Sequence, residues 1–501
     1  MQQGPIEQLV IVGGGTAGWM AAANLAEHFK HSGLSITLVE SSQIGTIGVG
    51  EATIPSIRRF YGALGLKDED VLRRTNGTCK LAIRFDGWSK PGDAFYHPFG
   101  LYGQDVRQVG FHHYWLKMHR AGKAGPISDY SLGVALADGG KFTRPSPRPP
   151  SPLSVFDWAL HFDASLFAKV MKESALANGV KAIDAKIESV ELNAETGFID
   201  SLALDTGAKL EGELFIDCSG FRGLLIEGAL ETGYESWSEW LHCDRAVAMQ
   251  SELDDTQQLV PYTRSIAHKA GWQWKIPLTN RQGNGYVFSS AHISDDEALA
   301  TLRDNVKGSQ RTEPNFIPFV PGRRRRAWNR NCIAVGLSSG FLEPLESTSI
   351  ALIETAIDKI KLLFPDKSFR PGVIDEFNEM TALEYERVRD FIILHYKLNG
   401  RHGEPFWDQC REMEVPDTLA RKMQLFKERG HLVKYRWEIF QNASWLAMYN
   451  GLNYLPDGYD PAVDHFDIAY LEKAFFEMKK SLDEGVAATP RHEDFLQEIG
   501  R

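Results

Sequence analysis

The sequence predicts an α/β fold of the doubly wound, Rossmann-like kind, with additional β-sheet and a helical C-terminal part. Three observations predict it. The apolar run "IEQLVIVGGG" reads as a buried strand ending in a glycine turn, and "TAGWMAAANLAEHF" reads as the helix after it. "LSITLVES" is then a second strand, which completes a strand–turn–helix–strand unit. After residue 365 helical periodicity dominates, clearest in "VIDEFNEMTALEYERVRDFIILHYKL" and "DTLARKMQLFKER". The expected division is a body over 1–365 and a mainly helical region over 366–501.

In chain order, "TNGTCKLAIRFDGW" follows as a strand. Period-two alternation puts Cys79, Leu81, Ile83 and Phe85 on one face and Lys80, Ala82 and Arg84 on the other. On that pattern alone Lys80 and Arg84 face water. Residues 85–130 are aromatic-rich without a clear period. "KFTRPSPRPPSP" must be a loop, because proline supports neither helix nor central strand. "SVFDWALHFDASLFAKVMKESALANG" reads as helix, and 180–216 as strands. "CIAVGLSS" is a further strand ending at Gly336 to Gly340. Ile350, Ile353, Ile357, Ile360 and Leu363 then keep helical spacing, so a helix begins near Ser349.

The chain has 501 residues, enough for a large core or several domains. A net charge of -11 argues against a nucleic-acid partner. The one basic run, Arg323 to Arg326, is short and reads as a solvated turn. Cys79, Cys218, Cys243, Cys332 and Cys410 are odd in number and widely spaced, so reduced thiols and no zinc or other metal site are expected. No signal-peptide pattern and no apolar stretch of about twenty residues occurs, so a cytoplasmic protein without membrane association is expected.

Gly13, Gly15 and Gly18 fall in GxGxxG spacing between strand and helix. Glycines allow the tight turn and close approach to a pyrophosphate, and the helix amides face its charge. Thr16 and Ala17 lie in the same turn. Glu40 ends the next strand, where an acid accepts from a ribose hydroxyl. A second glycine segment, "IGTIGVGEATIP" (44–55), contains Gly50, Glu51 and Ala52, and can start a helix at Thr53 or Pro55. "FIDCSGFRG" and "CIAVGLSSGF", the latter holding Gly336, add two more strand-to-glycine turns. Several approaches suit a long cofactor, which favours FAD over NAD.

Two further stretches stand out. In "GFLEPLESTSI", Glu346 lies just upstream of a helix start that Ser347, Thr348 or Ser349 can cap. Free amides there make an anion site, and a halide fits. The plain alternative is an ordinary helix start with a favourable acid beside it. In "GWQWKIPL", Trp272 and Trp274 alternate and share a strand face. They either cover a flavin or line a channel, or else pack the core.

Taken together, "GGGTAGWMAA", "GVGEATIP", "CKLAIRFDGW", "FYHPFG", "DCSGFRG", "GWQWKIPL" and "FLEPLEST", followed by "NASWLAMYNGL", resemble the flavin-dependent tryptophan halogenases and their indole-halogenating relatives, including brominating ones. The resemblance implies a flavin monooxygenase-type fold, with an FAD-binding and halide-oxidising body and a C-terminal region covering the substrate. It implies FAD supplied as FADH2 by a separate flavin reductase, oxygen, and bromide or chloride as co-substrate. Hypohalous acid would pass to Lys80, which carries it as a haloamine or by hydrogen bonding. Glu346 would assist or take the ring proton, and Ser347 would orient these groups. Thr348 and Ser349 would hold halide, Ser349 standing where the family usually has glycine. Leu345 and Gly336 would border the cofactor. His97 and Phe99 would sandwich an indole, with Phe440 and Trp445 as its other wall, and Trp272 and Trp274 would stand on the flavin side.

The tail departs from the pattern. Enzymes acting on free tryptophan use a tyrosine pair and a glutamate for its amino-acid end. Residues 420–450 contain no tyrosine pair and offer Tyr435, Arg436 and Glu438 differently spaced. Free or substituted indole is therefore the expected small aromatic substrate, for a monomer or homodimer. An aromatic hydroxylase would share the fold without needing Lys80 or a halide site. A non-catalytic flavin-binding module would give no product with any halide.

Overall fold

The computed structural model describes residues 4–43, 50–254 and 258–500. The chain divides into two compact units, each built from three separated stretches: Met1–Gly77, Phe162–Glu239 and Phe319–Glu386 in the first, Thr78–His161, Trp240–Pro318 and Arg387–Arg501 in the second.

The first unit centres on a six-stranded sheet ordered Trp328–Asn329, Cys332–Ala334, Leu214–Asp217, Gln8–Val12, Ser35–Glu40, Lys181–Asp184. All but the short edge strand Trp328–Asn329 run parallel. Leu9, Ile11, Leu38 and Ile216 are fully buried, as strands covered on both faces require. Helix Thr16–Phe29 packs on helices Ala164–Ala177 and Thr348–Leu362. Its run Ala21, Ala22, Ala23 is buried and lets the helices approach closely.

Two sequence expectations change here. "SVFDWALHFDASLFAKVMKESALANG" is not one helix: Ala159–Asp163 is a strand, and the helix starts only at Ala164. Asp163 caps it, its carboxylate accepting from the Ser165 and Leu166 amides. That cap residue inside the run was the missed signal. The arginine run is only in part the solvated turn expected: Arg325 and Arg326 are exposed, Arg323 and Arg324 are not. Arg324 is buried and pairs with Glu227, Arg323 bridges Glu235 and Glu386, and Arg326 pairs with Asp375. Nearby acids thus pair with three of the four arginines.

The second unit holds a seven-stranded sheet ordered Asn315–Pro318, Arg245–Ser251, Gln282–Phe288, Gly271–Pro277, Tyr262–His268, Ala82–Asp86, Ala94–Pro98. Only Tyr262–His268 and Ala82–Asp86 pair in parallel. The strand expected across "TCKLAIRFD" is broken at Leu81, because Thr78–Lys80 pairs instead with Ala159–His161. The aromatic-rich stretch resolves into strand Ala94–Pro98 and helix Phe111–Arg120. Helices Asn442–Gly451 and Ile468–Ala488 lie in the tail. The five cysteines are buried, and none is in a disulfide. No described helix is long and apolar enough to cross a membrane.

Candidate active site

In the first unit the glycine turn is built by close backbone approach. Gly13 has φ +113, and a Cβ there would lie 2.3 Å from the Cys218 carbonyl oxygen. A Cβ on Gly18 would lie 1.8 Å from the Gly13 oxygen. Gly15 behaves differently: its Cβ would meet nothing within 4 Å, and it caps the helix with no side-chain bond. A glycine with open space before unpaired helix amides fits a pyrophosphate. Thr16 and Ala17 follow directly, and Gly336 (φ +75) closes against Ala17, where a Cβ would come within 2.9 Å of its methyl carbon.

Glu40 ends its strand as expected, and its two oxygens already accept from Trp19 Nε1 at 3.1 Å and Lys172 Nζ at 2.5 Å. Each retains a second lone pair for a sugar hydroxyl. Residues 44–49 of the second glycine segment lie outside the described residues. Gly50–Ala52 form a strand, and the next helix starts at Ser56 behind Pro55. Burial pushes the Glu51 carboxyl up to about 7.

Glu346 and Leu345 are buried on the turn Pro344–Glu346, directly before helix Thr348–Leu362. Ser347 sits between them at φ 60, ψ 35, and its side chain makes no capping bond. The left-handed conformation that favours glycine thus falls on Ser347, whereas Ser349 is ordinary helix. The Thr348 hydroxyl is fully buried and has no protein hydrogen-bond partner. Further along, burial pushes the Glu354 carboxyl up to about 8.

In the second unit Lys80 is 0% exposed. This corrects the expectation, from alternation alone, that it faces water. Alternation fixes which way a side chain points, and here that side is filled: the Phe99 ring centre lies 5.1 Å from Nζ. Thr78 anchors the strand by donating to the Pro277 carbonyl at 2.7 Å. It therefore accepts from His161 Nδ1 at 2.8 Å, and His161 Nε2 accepts from Thr263 Oγ1 at 2.9 Å. Burial holds His161 neutral, its pKa well below the usual range, with Lys80 and His492 adding repulsion. Arg84 is half-buried and bound to Asp86 and Tyr96, so it too is not simply solvated.

The sheet register sorts the remaining residues by face. Trp274, Ser265, Phe85 and Phe95 stand opposite one another across four strands, and His97 opposes Ile83 on the same side. Trp272 and Trp274 are buried, with ring centres 6.1 Å apart. His97 meets Phe391 at 5.8 Å and Phe440 at 6.2 Å. Phe391 stacks on Phe440 at 4.0 Å and meets Trp445 edge-on at 5.0 Å. Sequence reasoning missed Phe391, the centre of this aromatic group, and His161. Only their burial at helical or strand spacing marked them, a signal shared with much of the core.

The glycine turn thus has the geometry that a dinucleotide's pyrophosphate requires. A family model for tryptophan halogenase matches residues 8–468. The chain is 35% identical to the tryptophan 6-halogenase ThaL of Streptomyces albogriseolus, across 99% of this chain and 98% of that one. It is 34% identical to the tryptophan 7-halogenase RebH of Lentzea aerocolonigenes, over 99% and 100%. Among solved structures, BrvH, a flavin-dependent halogenase from Brevundimonas sp. BAL3, superposes with TM-score 0.97 at 60% identity, over 99% of each chain. The chain belongs to the tryptophan halogenase family. It is an enzyme, a flavin-dependent halogenase.

Proposed function

We propose that the enzyme uses FADH2, oxygen and bromide or chloride to halogenate an indole-type substrate, with Lys80 delivering the oxidant. The observation that carries this reading is a lysine with no exposed surface set against an aromatic ring. Burying an ammonium is costly unless it is paired or used, and a buried lysine beside an aromatic ring is a place where reactive amines are found.

Gly13, Gly15, Thr16, Ala17, Gly18, Glu40, Gly50, Glu51, Ala52, Gly336 and Leu345 would hold FAD. When bound and reduced, FAD with oxygen supplies the two-electron oxidation of halide to hypohalous acid. Thr348 and Ser349 hold the halide, an assignment supported by the orphaned Thr348 hydroxyl at a helix start. Lys80 orients the hypohalous acid. Halogen moves with no electrons of its own to a ring carbon, the ring loses its proton to a base, and water leaves. Glu346 is the base and Ser347 its neighbour in orientation. His97, Phe99, Phe440 and Trp445 enclose the ring, and Trp272 and Trp274 keep it from the flavin.

Indole without an amino-acid end suits the tail. Glu438 is paired with Lys422 at 2.7 Å, both buried, and Arg387 lies 4.7 Å over the Tyr435 ring. Lys422 already neutralises Glu438, which leaves that carboxylate poorly suited to hold a substrate ammonium.

The test incubates the enzyme with a flavin reductase, NADH, FAD and indole or tryptophan, in bromide or chloride, and reads products by mass spectrometry. Halogenated indole, formed only with halide and reductase, is expected. A halide-independent gain of one oxygen would replace the reading with hydroxylation.

A further inference from the structure

The seven-stranded sheet has a second face that none of these roles uses. Register sets Tyr96, Arg84, Arg264 and Lys275 opposite one another on four successive strands. Their side chains therefore share a face, the one turned away from Trp274. Three cations in a cross-strand row repel one another. Asp86 alone serves two of them, accepting from Arg84 Nε at 2.8 Å and Arg264 Nε at 2.9 Å. Lys275 donates to the Asn305 carbonyl at 2.5 Å and pairs with no carboxylate among the described residues. Burial, then repulsion from Arg264 and Lys307, pushes its ammonium down to about 8. Among the described residues the row is short of negative charge.

A cavity of about 200 Å³ lies at this place, its lining including Tyr262, Arg264, Lys275, Gln258, Gln282 and Asp254. Asp254, the one carboxylate among the described residues of that lining, faces Lys307 at 3.9 Å. Its volume is below the roughly 300 Å³ at which pockets take drug-sized ligands.

We propose that this cavity is a binding site for a small oxyanion, a carboxylate or phosphate, held by Arg264 and Lys275. The guanidinium presents a planar fork that matches such oxygens, the lysine adds a point charge, and the two glutamines add amide donors. None of its lining residues is among those assigned to halogenation.

The test titrates inorganic phosphate and acetate, separately, into the full-length enzyme in halide-free buffer and follows binding by calorimetry. At least one should saturate a single site with a Kd on the order of 1 mM. Which one does so identifies the source. Arg264→Gln and Lys275→Met should each weaken binding about ten-fold, the loss of one charge-assisted contact. Should Arg264→Gln fail to fold, Lys275→Met decides alone. Failure of both anions to saturate, unchanged affinity in Lys275→Met, or equally tight binding of bromide at this site would overturn the proposal.

Discussion

The ammonium of Lys80 lies 5.1 Å from the centre of the Phe99 ring, in a position without solvent exposure. The cation–π contact helps hold the amine in a closed place. Lys80→Met should leave flavin binding intact and lower kcat for halogenation by at least about 100-fold, since positioning and proton chemistry are both lost. Single-turnover product analysis reads this. Unchanged halogenation would remove Lys80 from the mechanism.

Thr78 should act on Lys80 only through position. Thr78→Val deletes the acceptor of His161 and the donor to Pro277. A buried N–H left unpaired costs about 1–3 kcal/mol, so Tm should fall. Because the Lys80 strand loosens, kcat should fall more than KM rises. Thr78→Ser, which keeps both bonds, should restore both quantities.

Thr348→Val should separate stability from halide use. The buried hydroxyl has no protein partner, so replacing it with a methyl should leave Tm unchanged or raised. The KM for bromide should rise, by about ten-fold for one lost contact. An unchanged bromide KM would place the halide elsewhere.

Glu354 gives the pH dependence a sign. Its carboxyl is raised by burial to about 8, so the folded protein holds a proton that the unfolded chain releases above the ordinary glutamate value of 4.5. Stability should therefore be greatest below about 4.5 as far as this group is concerned, and fall as pH rises from there to 8. The loss should be on the order of a few kcal/mol. Glu354→Gln, neutral throughout, should flatten this part of the Tm–pH profile. An unaltered slope would assign the effect to other groups, Glu51 first.

Gly285 fixes the position of Trp274. A Cβ there would lie 2.0 Å from the indole, too close for any rotamer adjustment on the glycine side. Gly285→Ala should displace the indole, shift tryptophan fluorescence and cost about 1–3 kcal/mol.

The parts of the molecule legible in the sequence were those set by local rules. The first strand, glycine turn and helix could be read because turn geometry and apolar runs are local. Trp272 and Trp274 sharing a buried face followed from alternation. Lys80 could not be read that way: the pattern gave its direction, while its burial depends on Phe99 and on a partner strand at 159–161. Phe391 escaped for the same reason, since its role depends on Phe440 and Trp445 reaching it from the tail. The helix expected near Ser349 starts at Thr348, within the ordinary uncertainty of a helix boundary, and the left-handed residue before it is Ser347.

The three-stretch construction of each unit governs how the chain can be made. The strand at residues 8–12 must wait for its neighbour at 214–217, and that one for 332–334. While the ribosome is still working, one edge of the six-stranded sheet stands unpaired, a surface prone to wrong pairing. The first unit is complete only when residue 386 has emerged. Slower translation ahead of that point, or a chaperone that shields the edge, should matter more to the yield of soluble enzyme than any single stabilising substitution.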